Sequence, residues 1–332
     1  MTTQNSTVPF DKSYLCRVFF LCKNVNPNGT PTTGNLPRFN ADGFPFMSHV
    51  SVKHHIRDQL IKLCGPENVL TAVSKDTSLE ETLAQDETVQ QYLKQFISKG
   101  KSGGEDGEEC AGSSKELDKY ICEKYIDARL FGMLCPFTEN LYKALFKKKG
   151  SCSAAAQGAI QPSEAISYQR CTPEYVSISK SFNGTMPGKK GGKSSDTMGG
   201  GYYNIPHSIM AFTLSTSIEQ CRKNGVTEDD ILLLRRAMAN MFHETESAAR
   251  RAGALMTLCM AERVVPDDPN VLIPMRPMAF EWKVDKMMAY PIEDWMDRDY
   301  FLEHDLFPDM RDFENKLPPA DGKIYVSRIE TV

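Results

Sequence analysis

Apolar positions along the chain fall into short blocks of two kinds. Residues 14–23 (YLCRVFFLCK) are mostly aromatic, β-branched and apolar, which predicts a buried strand. Asn24 to Met47 breaks the pattern with Asn, Pro, Gly and Thr, and a loop this long is often functional. Ser48 then stands where a helix N-cap belongs. Val52, Ile56, Leu60 and Leu63 follow at helical spacing in one inward stripe, and Gly65-Pro66 ends the run.

Residues 64–126 are polar and weakly helical, with a Gly/Ser/Glu stretch at 101–114 that reads as disordered. They form an insertion. Residues 127–135 (DARLFGMLC) and 157–168 (QGAIQPSEAISY) are short strand candidates, and 206–217 (PHSIMAFTLSTS) is another. Between them, residues 170–205 are rich in Gly and Lys and predict a basic hairpin or loop. Thr227-Glu228-Asp229-Asp230 resembles a capping box with acids at the positive end of the helix dipole. It opens a helix whose inward stripe is Ile231, Leu234, Met238, Met241 and Thr245, running on through Ser247 to Arg250. Residues 253–261 (GALMTLCMA) are a further apolar strand or helix. From Pro266 onward, acids alternate with Trp282, Trp295, Tyr300, Phe301, Phe307 and Phe313, a pattern that predicts a packed C-terminal arm. The order β, α, β, β, α, β fits an α+β, ferredoxin-like fold, which is also the RNA-recognition fold. The palm of such a fold takes its first half from 1–63, strands from 127–169 and its second half from 206–265. The insertion, the hairpin and the arm (266–332) are added to it.

Charge changes the picture. The net charge of −4 disfavours a polyanion partner if only the sum is considered. The distribution is uneven: residues 1–63 carry a net +4 and 143–193 a net +7, whereas 64–126 carry −6 and 260–332 carry −7. Two basic islands between acidic regions are either chance clusters of solvated charge or surfaces that face a polyanion. Ten cysteines are scattered with no CxxC pair, which argues against a zinc site. No run of about 18 apolar residues predicts a membrane span, and the N-terminus lacks the basic and apolar regions of a signal peptide. The expectation is a cytoplasmic protein with free thiols, no cofactor and no metal.

Candidate chemistry gathers around the first helix. His49, Lys53 and Arg57 are spaced i, i+4, i+8, so they share a face distinct from the apolar stripe. That face is either solvated or a phosphate-binding stripe beside a helix N-terminus. The preceding loop adds Asn26, Asn28, Asn35 and Arg38, with backbone amides near Gly29 and Gly34.

The strings N26-P27-N28-G29-T30, G34-N35-L36-P37-R38, D42-G43 and V50-x-V52-K53-x-x-I56-R57-D58 resemble the N-terminal signature of a known family. It is the CRISPR Cascade backbone subunit, the RAMP-superfamily, CRISPR RNA-binding protein of type I-C and I-B effector complexes. D127-x-R129-L130-F131-G132, G158-A159-I160-Q161 and T227-x-D229-D230 running into S247-A248-A249-R250 are similar to later motifs of the same family. The resemblance covers roughly 14–63 and 127–262, outside the acidic insertion and the C-terminal arm.

It implies a hand-shaped, non-catalytic protein with a ferredoxin-like palm and a thumb hairpin. Further copies stack along a CRISPR RNA and present it for pairing with target DNA, with other Cascade subunits and, indirectly, a helicase-nuclease as partners. Carried over by position, Asn26, Asn28, Asn35, Arg38, His49, Lys53 and Arg57 line the RNA groove, with Gln161 and Arg250 as further RNA candidates. Residues 170–205 are then the thumb. Lys180, Lys189, Lys190 and Lys193 lie near RNA or the target strand, and Phe182 and Met186 are apolar tip candidates. Arg129 and Ser247 can equally be structural.

The enzymatic rival is an endoribonuclease of the same superfamily with His54 or His55 as general base and Lys53 beside the phosphorane. Adjacent helical residues point about 100° apart, so the two histidines cannot serve one phosphate together. A second version uses Asp42 to activate a 2′-hydroxyl, although Asp42-Gly43 reads as a turn. Gly192-Lys193-Ser194 fails as a P-loop because Pro187 stands where its first glycine belongs. A third reading is a protein-binding domain whose basic islands meet acidic partners.

Overall fold

The computed structural model describes residues 8–74, 77–97, 111–179, 198–243, 253–267, 310–312 and 316–329. Eight elements position the candidate site: β1 (Lys12–Val25), α1 (His49–Cys64), α2 (Ile126–Phe131), β2 (Ile160–Pro162), β3 (Ala165–Ser167), β4 (Met198–Thr216), α3 (Glu228–Ala239) and β5 (Leu255–Pro266). β1 pairs antiparallel with β4 on one side and β5 on the other. β2 and β3 pair antiparallel with the far side of β4, giving the order β5–β1–β4–β2/β3.

The middle of β1 is apolar but for Arg17 because the strand is interior to the sheet and both its faces are covered. Tyr14, Cys16, Val18, Phe20 and Cys22 join the core beneath the helices, while Leu15, Phe19 and Leu21 join a second cluster with Ile209, Cys259 and Val326.

α1 starts where its cap predicts, with the Ser48 hydroxyl accepting from Ser51 N at 3.3 Å, and it stops at Gly65 (φ 90°). Val52, Ile56 and Leu60 are fully buried, but Leu63 is 41% exposed, so the inward stripe ends one turn earlier than its spacing predicts. α3 opens with the expected capping box, Thr227 and Asp230 each holding the other's backbone N–H. Ile231, Leu234 and Met238 bury against the same core as α1, and Met241 follows beyond the helix end. Thr245 and residues 247–250, including Arg250, lie outside the described residues.

Segment 127–135 departs from expectation. It is half helix (α2) and half strand (Gly132–Phe137), the switch made at Gly132, whose φ is +79°. A short apolar run does not distinguish helix from strand, and the glycine decides. That strand and Ser151–Gln157 also leave the main sheet. They pair with each other, and Ala111–Ser113 joins them in a separate three-stranded sheet. Ala111–Ser113 is therefore strand inside a stretch that reads as disordered, while 101–110 lies outside the described residues. Leu83, Val89, Leu93, Leu117, Ile121, Phe137 and Tyr142 give this acidic unit its own core. Amphipathic helices such as Glu87–Lys94 and Lys115–Lys124 are short and polar on their outer faces, which hides the apolar spacing.

The basic glycine-rich segment rises from the sheet as a ribbon: Glu174–Ser179 pairs antiparallel with the first part of β4. A Cβ on Gly201 would meet the Tyr175 ring at 2.4 Å, so glycine is required where the ring crosses the strand. Lys180, Phe182, Met186, Lys189, Lys190 and Lys193 lie outside the described residues.

Part of the C-terminal arm adds to the main sheet. Tyr325–Arg328 pairs antiparallel with β5, and Met310–Asp312 runs parallel beyond it. A buried polar cluster ties this edge down. Glu262 accepts from Tyr14 Oη (2.6 Å) and Arg235 Nε (2.8 Å), and Arg235 also donates to Ser327 Oγ (3.0 Å). Trp282, Trp295, Tyr300, Phe301, Phe307 and Phe313 lie outside the described residues. Among the described residues no helix is long and apolar enough to cross a membrane.

Candidate nucleic-acid interface

The loop between β1 and α1 is a folded structure. Gly34 (φ 66°) and Asn35 (φ 61°) turn the chain so that Gly29–Thr30 pairs with Leu36–Pro37. The Asn35 side chain lies against Gly29 so closely that a Cβ there would fall 1.9 Å from Asn35 Oδ1. Asn26 Nδ2 donates to Asn35 O at 2.6 Å. Asn28 Oδ1 accepts from Ser48 N at 3.0 Å, which ties the loop to the N-cap of α1. Asn40 Oδ1 accepts from the amides of Asp42 (3.1 Å) and Phe44 (2.9 Å), so Asp42 sits in an Asx-type turn completed by Gly43.

Past the cap, the polar face of α1 meets α2. His49 is exposed in the first turn. Lys53 Nζ donates to Phe131 O at 3.4 Å and lies 5.7 Å from the Phe131 ring centre. Arg57 lies over the same ring at 5.4 Å, and its Nε is 3.3 Å from the buried carboxylate of Asp127. Burial lowers the pKa of both cations. For Lys53 the neighbouring Arg57 charge adds to the effect, and for Arg57 the Asp127 carboxylate offsets it. Asp127 also accepts from Leu70 N (2.6 Å), Thr71 N (3.2 Å) and Thr71 Oγ1 (3.1 Å). Of the stripe predicted from spacing, His49 is thus open, Lys53 is half-buried and Arg57 is held by an internal partner.

The later motifs converge on the same place. Arg129 makes a two-pronged pair with Asp230 (2.9 and 2.6 Å) and donates to Cys122 O and Glu123 O. Asn224 Nδ2 donates to Arg129 O (3.0 Å) and Gln157 O (2.8 Å). A Cβ on Gly158 would stand 2.4 Å from Phe131 C, so the two chains cross in contact. Gln161 is exposed and donates to Gly158 O at 3.1 Å. The contacts run without a break from Asn26 and Arg38 through Ser48, Lys53, Phe131 and Gly158 to Gln161. The loop residues Asn26, Asn28, Asn35 and Arg38 are thereby tied to the start of α1, and Lys53 and Arg57 on that helix are linked through Phe131 and Gly158 to Gln161.

The histidines of the nuclease rival diverge. His54 is solvent-facing and 3.5 Å from Asp58, while His55 is buried with its ring edge-on to Phe242. Among the described residues no three His, Cys, Asp or Glu side chains gather to hold a metal ion. Arg170 escapes sequence reasoning. It is exposed over the Phe44 ring at 5.2 Å, because Phe46–Met47 pairs with β3 and brings the loop beside the foot of the ribbon. No local signal in the sequence links two segments so far apart.

The family model for CRISPR-associated protein Cas7 matches residues 12–286, which include all of these residues. The chain belongs to the Cas7 family. None of the curated proteins compared with this Cas7-family chain matches it. A solved structure described as a CRISPR RNA-guided surveillance complex, pre-nicking, is similar over 86% of this chain and 90% of that one, with 11% identity and a TM-score of 0.41. Another, described as a CRISPR RNA-guided surveillance complex, is similar over 84% and 85% of the two chains, with 10% identity and a TM-score of 0.39. In this Cas7-family chain the matched span takes in the acidic unit as well as β1 to β5 of the main sheet.

Proposed function

We propose that the chain is a non-catalytic subunit that holds a CRISPR RNA by its sugar-phosphate backbone within a type I Cascade complex. The observation that carries this reading is the tie between the amide-rich loop, which carries the half-buried Arg38, and the N-cap of α1, which carries the half-buried Lys53. Phosphate contacts fix position and leave the bases free, so sequence is read by pairing with target DNA. Support for a ferredoxin-like palm comes from the order β5–β1–β4–β2/β3, all antiparallel, with α1 and α3 packed on one face. The ribbon of Glu174–Ser179 with the first part of β4 is the base of the thumb. Copies of the chain lie side by side along the guide and meet other Cascade subunits, and the assembly hands target DNA to a helicase-nuclease.

Lys53→Ala tests this reading, because Lys53 has no buried carboxylate to orphan. Anisotropy with a labelled CRISPR RNA at several salt concentrations is expected to show weaker binding and a salt slope smaller by about one. Unchanged affinity and slope in the folded variant remove α1 from the interface.

A further inference from the structure

Five cations lie over aromatic rings among the described residues, and the fold consumes four of them. Arg17 donates to Thr213 Oγ1 and Tyr168 Oη, Lys53 to Phe131 O and Lys124 to Asp86, while Arg57 faces the Asp127 carboxylate. Arg170 is the fifth. It is exposed over the Phe44 ring at 5.2 Å, and among the described residues its guanidinium meets no carboxylate and no hydrogen-bond acceptor.

Both members of this pair are held by the fold. Asn40 N donates to Phe44 O and Phe44 N to Asn40 Oδ1, each at 2.9 Å, with Phe39 and Pro45 bridged beside them. Phe39 packs on the core and Pro45 is buried, so side-chain alternation puts Arg38, Asn40, Phe44 and Phe46 on the outer face of this small hairpin. Arg170 follows a stretch tied to β4. Tyr168 N donates to Ile209 O (2.9 Å), Ile209 N to Gln169 Oε1 (3.2 Å) and Ser167 Oγ to Gln169 O (2.7 Å). Ile166, 43% exposed, stands opposite Phe46 and adds apolar surface beside it.

A guanidinium is planar and weakly hydrated. With one face on a ring, its other face stacks on a second flat group. A carboxylate or a phosphate oxygen takes the N–H edge and makes no use of the ring beneath. The flat group that RNA supplies is an unpaired base. We infer that Arg170, laid on Phe44, is a stacking platform for an unpaired RNA base at the foot of the ribbon, with Phe46 and Ile166 as the apolar surface beside it. The platform tolerates any base, because every base has a π-face. The inference rests on the RNA-holding function proposed above and adds a base contact to its sugar-phosphate contacts.

The test compares labelled oligoadenylate with an abasic ribose-phosphate strand of the same length, by anisotropy, for the full chain and for Arg170→Lys. The substitution keeps the charge and removes the plane, and it stands at an exposed position. Oligoadenylate affinity is expected to fall about tenfold in Arg170→Lys, the worth of one stacked base, while affinity for the abasic strand and the salt slope stay at the wild-type values. Equal losses on the two strands make Arg170 a phosphate contact, and no loss on either makes it a solvated side chain; both overturn the platform and leave the RNA-holding reading in place. Arg170→Ala that disperses assemblies of the chain with RNA affinity unchanged gives the guanidinium to a protein carboxylate and overturns the platform as well. Binding of neither strand by the wild type overturns the RNA-holding reading itself, and the platform with it.

Discussion

Arg57→Ala decides whether that cation belongs to the fold or to the ligand. Its partner Asp127 has a side chain only 2% exposed, while the Arg57 side chain is 20% exposed. Truncating one member of a buried ion pair costs about 3–5 kcal/mol, because a charge is left without its counterion. Here Asp127 keeps two backbone amides and the Thr71 hydroxyl. The Arg57 Nε approaches to 3.3 Å without hydrogen-bond geometry. Both facts place the loss at the low end, about 2 kcal/mol, part of it from stem packing against Phe131. In thermal melts this corresponds to a fall of roughly 3 °C for a chain of this length. Urea unfolding of Arg57→Ala, Asp127→Asn and the double variant should give a coupling energy of about 1 kcal/mol or more. RNA affinity of the folded Arg57→Ala protein should fall less than that of Lys53→Ala. A midpoint unchanged within error, with zero coupling and a large loss of RNA affinity, would refute the reasoning and return Arg57 to the ligand.

Arg129→Ala should destabilise more, by about 3–5 kcal/mol in urea titrations, since it orphans Asp230 and two carbonyls at once; a loss under about 1 kcal/mol would contradict the bridging role. Gly158→Ala drives a Cβ into the Phe131 backbone and should cost about 3 kcal/mol, whereas Gly34→Ala meets open space and only the penalty of its positive φ, about 1 kcal/mol. Equal melting shifts for the two would sink the close-crossing explanation. Burial pushes the Cys64, Cys122 and Cys152 thiols up to about 11 and those of Cys135 and Cys221 to about 12. A raised pKa lowers the thiolate fraction at pH 8, so peptide-mapped alkylation should be slow in the native protein and prompt after unfolding. Rapid native labelling of Cys135 would show that the acidic unit opens readily.

The elements legible in the sequence are those whose causes are local. Ser48 and Thr227 announce α1 and α3 because a cap is a contact between residues three apart. β1 is legible because burial on both faces leaves a run from Tyr14 to Cys22 that is apolar but for Arg17. Segment 127–135 is not, because helix and strand compete there and the switch is made at Gly132, which packs against Gly158. The acidic unit also misleads: its core residues are spread over several short helices, and composition registers the charged outer faces instead.

The candidate surface divides in the same way. Residue types and motif order pick out Asn26, Asn35, Arg38, Lys53 and Gln161, since cations and amides that can meet a phosphate chain are identifiable one by one. Their division of labour is not local. Lys53 and Arg57 look alike on a helical wheel, yet Asp127 sits under one and a backbone carbonyl under the other. Arg170 comes beside the loop only because β3 pairs with Phe46–Met47. Caps, apolar runs and the supply of charge were determined by the sequence itself, because those energies act over a few residues. Which charges stay free and which are consumed by the fold was decided by the tertiary structure, because pairing and desolvation depend on segments that meet only after folding.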